Sequence, residues 1–335
     1  MSKYLKQAAS LLPKVTREVA GAKPVDTIGD HSKDYKAKVK FVMMGPVAVG
    51  KSTVAAAIVV TLQNLSALDP NFYARVLPTS SHILSEANNL RLGKFPGKTD
   101  PSAPNTPEAG ILICQRGNFG NKGTQMPICD MAGEVTDYIE AKSSGLTPRE
   151  QLQDLATSIN MQMYNTAKAC QGIIITMSAE DSLMFSEGPQ ERDNDVYTHN
   201  ALTAMFEYRR RNHMPEPYVI VIITKWDKVS TQSKMIGMDV FDDTGEMNGL
   251  ARFMDNGFPA TSMLLKPLRD KGRVKYFRSW FTLATDEDNK VLYWPGTDKP
   301  KIKIKEDPAS YLRFKPSYAE EDYIGLVRYI GSFGQ

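Results

Sequence analysis

The residues best suited to chemistry are Gly45, Lys51 and Ser52, in the segment Gly-Pro-Val-Ala-Val-Gly-Lys-Ser. This segment follows an apolar β-type run, Val39–Met44, and precedes an Ala/Val/Leu-rich helical run, Ser52–Leu65. In that position the loop N–H groups and the positive end of the helix can surround phosphate groups. Lys51 can neutralise phosphate charge, and the Ser52 hydroxyl can ligate Mg²⁺. The segment predicts a phosphate-binding loop with the contact residues Gly45, Pro46, Val47, Ala48, Val49, Gly50, Lys51, Ser52 and Thr53.

A second segment, Thr224-Lys225-Trp226-Asp227, ends the strongest buried-strand pattern of the chain, Tyr218–Thr224. The Asp227 carboxylate can accept hydrogen bonds from the N1–H and N2–H₂ groups of guanine. Adenine offers no such pair of donors, so a site of this kind discriminates between the two bases. The aliphatic stem of Lys225 can lie across the purine face. Downstream of a phosphate loop, this segment predicts a guanine site formed by Thr224, Lys225 and Asp227.

The third segment is Asp130-Met131-Ala132-Gly133-Glu134, which follows the apolar run Met126–Cys129. A carboxylate at a strand end beside a phosphate loop, here Asp130, can hold Mg²⁺ through water. Gly133 has no Cβ, so its N–H can approach a γ-phosphate closely. The order of the three segments along the chain favours a nucleotide site over three unrelated turns.

With these three motifs in this order, the chain resembles P-loop GTPases of the translation-factor-like and Ras-like class. The resemblance covers roughly residues 38–284, and it looks closest to bacterial members with an enlarged first-switch region. It implies a Ras-like α/β fold that binds GTP or GDP with Mg²⁺. It also implies a molecular switch whose two loops order around the γ-phosphate and relax after hydrolysis. Lys51, Gly133 and Glu134 are the residues to which it assigns catalysis.

Two parts of the family pattern are matched less closely. The first switch requires a threonine as a Mg²⁺ ligand, and both Thr99 and Thr106 satisfy this requirement. The Gly-Lys-Thr context favours Thr99, whereas the spacing to Asp130 favours Thr106. The loop that contacts the base after the last strand corresponds only loosely to Thr282-Leu283-Ala284.

The residue after Gly133 is Glu134, where many family members have Gln or His. An ionised carboxylate near the γ-phosphate would repel the charge of the transition state unless a cation offsets it. Val47 and Ala48 crowd the place that an inserted catalytic side chain would occupy. We therefore expect slow intrinsic hydrolysis, with Arg91 and Arg116 as candidate internal cations and surface arginines as the simpler interpretation of both.

Strand and helix patterns alternate along the chain, which predicts an α/β fold with a mostly parallel sheet. Residues 1–37 read as a short amphipathic helix and a linker, and residues 38–335 as the GTPase domain. Long inserts interrupt this domain at about residues 67–110 and 229–273. The runs Ile111–Cys114 and Met126–Cys129, separated by Gly and Asn residues, predict an antiparallel hairpin.

Composition sets the limits on partners and location. The net charge of +3 at pH 7 is too small to predict a nucleic-acid partner. No apolar run is long enough to span a membrane, and no secretory signal is evident. Three cysteines without metal-type spacing indicate reduced thiols in a cytoplasmic protein. The N-terminal helix could touch a membrane surface or a partner, although packing on its own domain explains it more simply.

Three hypotheses for function remain. The first is a switch that binds and slowly hydrolyses GTP to control a protein partner. The second is an assembly component that GTP stabilises through self-association, with incidental hydrolysis. The third, an ATP-using phosphotransferase, conflicts with Thr224-Lys225-Trp226-Asp227.

Two charged groups have simpler interpretations. The pair Glu180/Asp181 reads as a solvated acidic loop. Lys299, Lys301, Lys303 and Lys305 alternate with other residues along an extended run. That alternation indicates a lysine-protected edge strand.

Overall fold

The computed structural model describes residues 41–46, 48–68, 72–76, 81–97, 111–115, 123–126, 168–182, 194–229, 246–308 and 313–333. The predicted N-terminal helix and linker lie outside these residues, as do Val47, Thr99, Thr106, Arg116, Asp130, Gly133 and Glu134. Within the described parts of the chain, every helix is too short or too polar to cross a bilayer.

The centre of the fold is a four-stranded parallel sheet in the order β1-β5-β6-β7. Its strands are β1 (Phe41–Met44), β5 (Gly172–Ser178), β6 (Tyr218–Thr224) and β7 (Val274–Arg278). β1 and most of β5 and β6 are continuous apolar runs because helices cover both faces of the sheet. β7, Val-Lys-Tyr-Phe-Arg, alternates buried and partly buried positions at its start. The register pairs Met44 with Ile175 and Ser178 with Thr224, which places the carboxyl ends of the strands along one edge.

Helices form a layer on each face of this sheet, because alternate residues of the strands point to opposite sides. The helices are α1 (Lys51–Leu68), α2 (Ser81–Arg91), α3 (Asn194–Arg211), α4 (Glu246–Gly257), α5 (Pro259–Asp270) and α6 (Glu320–Ser332). Phe41 and Met43 belong to a core with α1, α2 and α6, whereas Val42 and Met44 belong to a core with α3, α4 and α5. The predicted α/β class with a parallel sheet flanked by helices is confirmed.

A second, antiparallel sheet has the order β2-β3-β4 and consists of Phe72–Val76, Ile111–Gln115 and Gly123–Met126. The pairing of Ile111 with Met126 confirms the predicted hairpin. Its second strand is Gly123–Met126, which ends at the residue where the predicted run Met126–Cys129 begins. Both inserts contain regular structure: β2 and α2 lie in the first, and α4 and α5 lie in the second.

The chain beyond β7 forms short β-bridges, and Phe281, Ile302 and Tyr318 from these bridges join the core that contains α1, α2 and α6. The sequence predicts a strand over Val274–Ala284, but the strand ends at Arg278. The Ser279 carbonyl accepts from the Trp226 N–H, which lies beyond the end of β6, so the ladder stops there. Phe281 then pairs with Tyr318, and Leu283 pairs with Ile302. Two short antiparallel strands, β8 (Ile304–Glu306) and β9 (Phe314–Pro316), complete this region.

The lysine-rich run is not a free edge at Lys301. The Lys301 N–H donates to Leu292, its carbonyl accepts from Ala284, and on the other side Lys301 forms a bridge with Lys94. The predicted edge-strand interpretation is therefore wrong at this position, because a segment distant in sequence covers it.

Candidate nucleotide-binding site

The turn between β1 and α1 has a backbone that only small residues accommodate. Gly45 has φ +153°, and a Cβ there would lie 2.5 Å from the Thr176 carbonyl oxygen and 2.6 Å from its Oγ1. Ala48 and Gly50 follow with φ values of 64° and 92°. Left-handed residues in a turn aim successive N–H groups into one concavity, which suits an anion. The turn ends where the Val54 N–H donates to Gly50 at 2.9 Å and α1 begins.

The Lys51 ammonium lies against the backbone of this turn. Its Nζ donates to the carbonyls of Gly45 at 2.9 Å and Pro46 at 2.7 Å. The residue is only 7% exposed, so the charge is held close to the loop backbone rather than in solvent. A buried cation in this turn favours a bound anion nearby. Ser52 and Thr53 occupy the next two positions, in the first turn of α1.

Thr224 joins the two predicted motifs. Its hydroxyl donates to the Val49 carbonyl at 2.6 Å and has the Met177 carbonyl at 3.1 Å as a second acceptor. Thr224 is 4% exposed, so water does not compete for these contacts. The carboxyl end of β6 is thereby fixed against the phosphate loop.

The residues after Thr224 turn sharply and are held by packing. Lys225 has φ 55°, a conformation that costs a non-glycine residue of order 1 kcal/mol or more. The Trp226 N–H donates to the Ser279 carbonyl at 3.2 Å, and its indole packs on Phe253 with ring centroids 5.0 Å apart. Burial of Trp226 in the core leaves its neighbours Lys225 and Asp227 half-buried beside the open side of the turn.

The Asp227 carboxyl lies in a partly desolvated place. Burial raises its pKa above the ordinary value, and the negative charge of Glu180 acts in the same direction. Its own backbone N–H, Lys228 and Lys225 oppose that shift. A ligand that donated two N–H groups to this carboxylate would replace the lost water and favour the ionised form.

The two motifs line one cavity of about 330 Å³. This volume lies in the range of small-molecule sites. The predicted site residues that line it are Ala48, Val49, Gly50, Thr53, Thr224, Lys225, Asp227 and Leu283. Two of the five described non-glycine residues with positive φ, Ala48 and Lys225, line this cavity. Each motif therefore contributes one strained backbone position to the wall.

The other described residues of the predicted site are not among those that line the cavity. Gly45, Pro46 and Lys51 belong to the turn between β1 and α1 and contact one another there. Thr282 and Ala284 instead donate their N–H groups to Ser317 and Lys301 in the bridges beyond β7. Among the described residues, no three His, Cys, Asp or Glu side chains come together as a metal site.

The rest of the wall comes from residues outside the predicted motifs: Phe95, Lys228, Ser279, Trp280, Phe281 and Pro300. Ser279–Phe281 directly follow β7, and ligands of parallel sheets bind beyond the carboxyl ends of the strands. That rule could have found them. Phe95 and Pro300 carry no local signal, because the bridge between Lys94 and Lys301 brings them together.

Arg91 is a buried structural residue, so its simpler interpretation as a surface arginine is wrong. It is 6% exposed, and its guanidinium donates to Gln63 of α1 and to Asn88. The contact with Gln63 attaches α2 to α1, and both contacts hold the guanidinium within the structure.

No family model matches this chain, and no curated protein matches it. The chemistry of the site therefore rests on the geometry of its own residues. A loop suited to phosphate and a carboxylate suited to paired N–H donors line one cavity.

Proposed function

We propose that this protein is a Mg²⁺-dependent GTPase that acts as a molecular switch on a protein partner. The observation that carries the proposal is the contact of 2.6 Å between the Thr224 hydroxyl and the Val49 carbonyl. It connects a loop suited to phosphate with a carboxylate suited to guanine. A nucleotide is the small molecule that presents a phosphate chain and a purine base together.

The base end of the cavity supports guanine. Asp227 is a half-buried acceptor on the cavity wall, and guanine offers it two N–H donors. Adenine would leave the carboxylate desolvated without those bonds, which is the kind of mismatch that polar sites reject strongly. Lys225 and Trp280 also line the cavity and provide apolar surface for a flat ring.

The phosphate end supports a di- or triphosphate. Ala48 and Gly50 have the positive φ values typical of turns whose N–H groups bind anions, and Lys51 supplies the positive charge. Ser52, in the first turn of α1, is the described residue that would hold Mg²⁺. Bound Mg²⁺ would neutralise phosphate charge, and one protein hydroxyl suffices because this ion keeps several waters and phosphate oxygens as ligands.

The hydrolytic part of the proposal rests on Gly133 and Glu134, which belong to the motif resemblance. We propose slow turnover, because Glu134 would bring a second negative charge toward the γ-phosphate. Release of phosphate from GTP with Mg²⁺ should therefore be slow in the isolated protein and should accelerate with a partner that supplies a cation.

Titration calorimetry with GDP, GTP and ADP in the presence of Mg²⁺ tests the proposal. The parent protein should bind GDP at least 100-fold more tightly than ADP, in line with the selectivity of hydrogen-bonding sites. Asp227→Asn should lose GDP affinity and gain affinity for xanthosine diphosphate, because xanthine has an acceptor where guanine has its N2 donor.

The matched control is Asp270→Asn, which makes the same change on exposed α5 and should leave both affinities unaltered. Equal affinity of the parent protein for GDP and ADP would refute the proposal.

A further inference from the structure

Glu180 lies beside the proposed base site although the sequence predicts only a solvated loop for it. It belongs to a short 3₁₀ turn, Ala179–Asp181, that directly follows β5. The Asn194 side-chain amide donates to Asp181 at 2.8 Å, which attaches this turn to the start of α3. Because Ser178 pairs with Thr224 in the sheet, the turn is next to the residues that follow β6.

Glu180 holds the two lysines on either side of Trp226 and Asp227. Its Oε2 lies 2.6 Å from Lys225 Nζ, and its Oε1 lies 3.8 Å from Lys228 Nζ. Both lysines line the cavity, whereas Glu180 is absent from that wall among the residues that the structure describes. The carboxylate therefore acts on the base site from outside its wall, through its contacts with the two lysines and through its charge.

We propose that Glu180 is a positioning residue for purine recognition, which holds the Lys225 side chain so that its stem lies along the base. This inference rests on the proposed function and names a residue that determines how tightly the base is bound. The geometry behind it is the ion pair to Lys225 together with the left-handed backbone of that lysine, φ 55°.

The physical reason is conformational entropy. A lysine side chain loses rotamer freedom when it is fixed, and a carboxylate that already holds its ammonium removes part of that cost from binding. In the protein without ligand, the side chains of Lys225 and Glu180 are 39% and 41% exposed, so solvent screens the pair. A base that covered the Lys225 stem would exclude water and strengthen the attraction.

Glu180 also affects the charge state of Asp227. The charged groups that act on Asp227 are Lys225, Lys228 and Glu180. The two lysines lower the Asp227 pKa, and Glu180 raises it. Removal of the Glu180 charge should therefore move the acidic limit of guanine binding to lower pH, which a purely structural role of Glu180 would not do.

The experiment compares the parent protein with Glu180→Gln, Glu180→Asp and the control Glu207→Gln. Glu207 is an exposed carboxylate that pairs with Arg211 at 3.0 Å on α3, so its variant loses the same charge from an ion pair that does not involve a lysine of the cavity wall. Calorimetry measures the affinity for GDP from pH 5 to pH 8 and for inorganic pyrophosphate, which has no base.

We expect Glu180→Gln to weaken GDP binding about 2- to 5-fold at neutral pH, the range of an exposed ion pair. Pyrophosphate binding should remain unchanged, and the acidic limit should shift downward. Glu180→Asp should restore the pH limit, and Glu207→Gln should match the parent.

Unaltered GDP affinity in Glu180→Gln, or equal losses for GDP and pyrophosphate, would overturn this inference while the proposed function stands. A parent protein that binds no GDP would overturn both.

Discussion

The Thr224 hydroxyl donates to the Val49 carbonyl at 2.6 Å, and this contact joins the end of β6 to the turn between β1 and α1. Val49 is 1% exposed and Thr224 is 4% exposed. Buried polar groups without partners are costly, so the contact holds the two predicted motifs together beside the cavity.

The first prediction concerns this contact. Thr224→Val keeps the side-chain shape and removes the donor, which leaves the buried Val49 carbonyl without this bond. We expect a loss of about 1–3 kcal/mol in the free energy of unfolding, measured by urea denaturation, together with weaker GDP binding.

The control for it is Thr198→Val. Thr198 is also buried and donates to the Asn194 carbonyl at 2.8 Å within α3. Loss of this hydrogen bond in Thr198→Val should leave GDP affinity unchanged. Parental stability and affinity in Thr224→Val would show that the two motifs do not depend on this hydrogen bond.

The second prediction concerns Gly45. Gly45→Ala would place a Cβ 2.5 Å from the Thr176 carbonyl oxygen, in a strand that cannot shift without breaking sheet hydrogen bonds. Gly272→Ala is the matched control, because Gly272 has φ +69° and a Cβ added there would have nothing within 4 Å.

Gly272→Ala should cost about 1–2 kcal/mol for the left-handed backbone alone. Gly45→Ala should cost about 1–3 kcal/mol more for the collision, as measured by thermal unfolding. Equal costs for the two variants would mean that the close approach of β1 to β5 is not a constraint.

The third prediction concerns Lys51. Lys51→Met keeps an unbranched apolar stem and removes the ammonium, so phosphate loses its charge-assisted hydrogen bonds. Affinity for GDP and for pyrophosphate should both fall on the order of 100-fold, or about 2–3 kcal/mol, in calorimetric titration.

Lys266→Met makes the same replacement on the exposed surface of α5, where Lys266 pairs with Asp270 at 2.9 Å. That variant should bind both ligands as the parent does. Parental pyrophosphate affinity in Lys51→Met would place the anion site elsewhere.

The fourth prediction concerns pH. Burial raises the pKa of Asp227 in the protein without ligand, and guanine would bind the ionised form. Binding therefore releases a proton, and GDP affinity should fall as the pH decreases through this raised pKa, which lies above the ordinary value of about 3.9.

The raised pKa of Asp227 also affects the stability of the folded protein, and here the loss occurs at higher rather than lower pH. An acid whose pKa is raised in the folded state destabilises the protein once the pH exceeds its unfolded-state pKa, and this cost is complete above the folded-state pKa. Asp227→Asn should therefore raise the melting temperature above that of the parent at neutral pH without nucleotide, and the two proteins should melt alike at low pH. A variant that melts with the parent at neutral pH as well would contradict the desolvation of Asp227.

Local sequence was sufficient to predict the main elements. Continuous apolar runs at Gly172–Met177 and Tyr218–Thr224 indicate strands covered on both faces, and both are central in the parallel sheet. The phosphate-loop spacing is also local, since the positions of Gly45, Gly50 and Lys51 within one turn follow from a few consecutive residues. The strand patterns also put both motifs at strand ends, and the register brings these ends to one edge.

The tertiary structure decided which residues complete the cavity. Phe95 and Pro300 meet there because Lys94 and Lys301 form a bridge across distant segments, and no periodicity encodes such a pairing. It also decided that Leu283 reaches the wall while Thr282 and Ala284 bond to the chain beyond.

By itself, the sequence determined the chemistry that each motif could perform, because spacing and residue type control local backbone geometry and charge. Only the tertiary structure decided that Glu180 pairs with Lys225 at 2.6 Å. Contacts between residues on different strands depend on how the sheet is ordered and registered. That order follows from burial summed over the whole core, which no single segment contains.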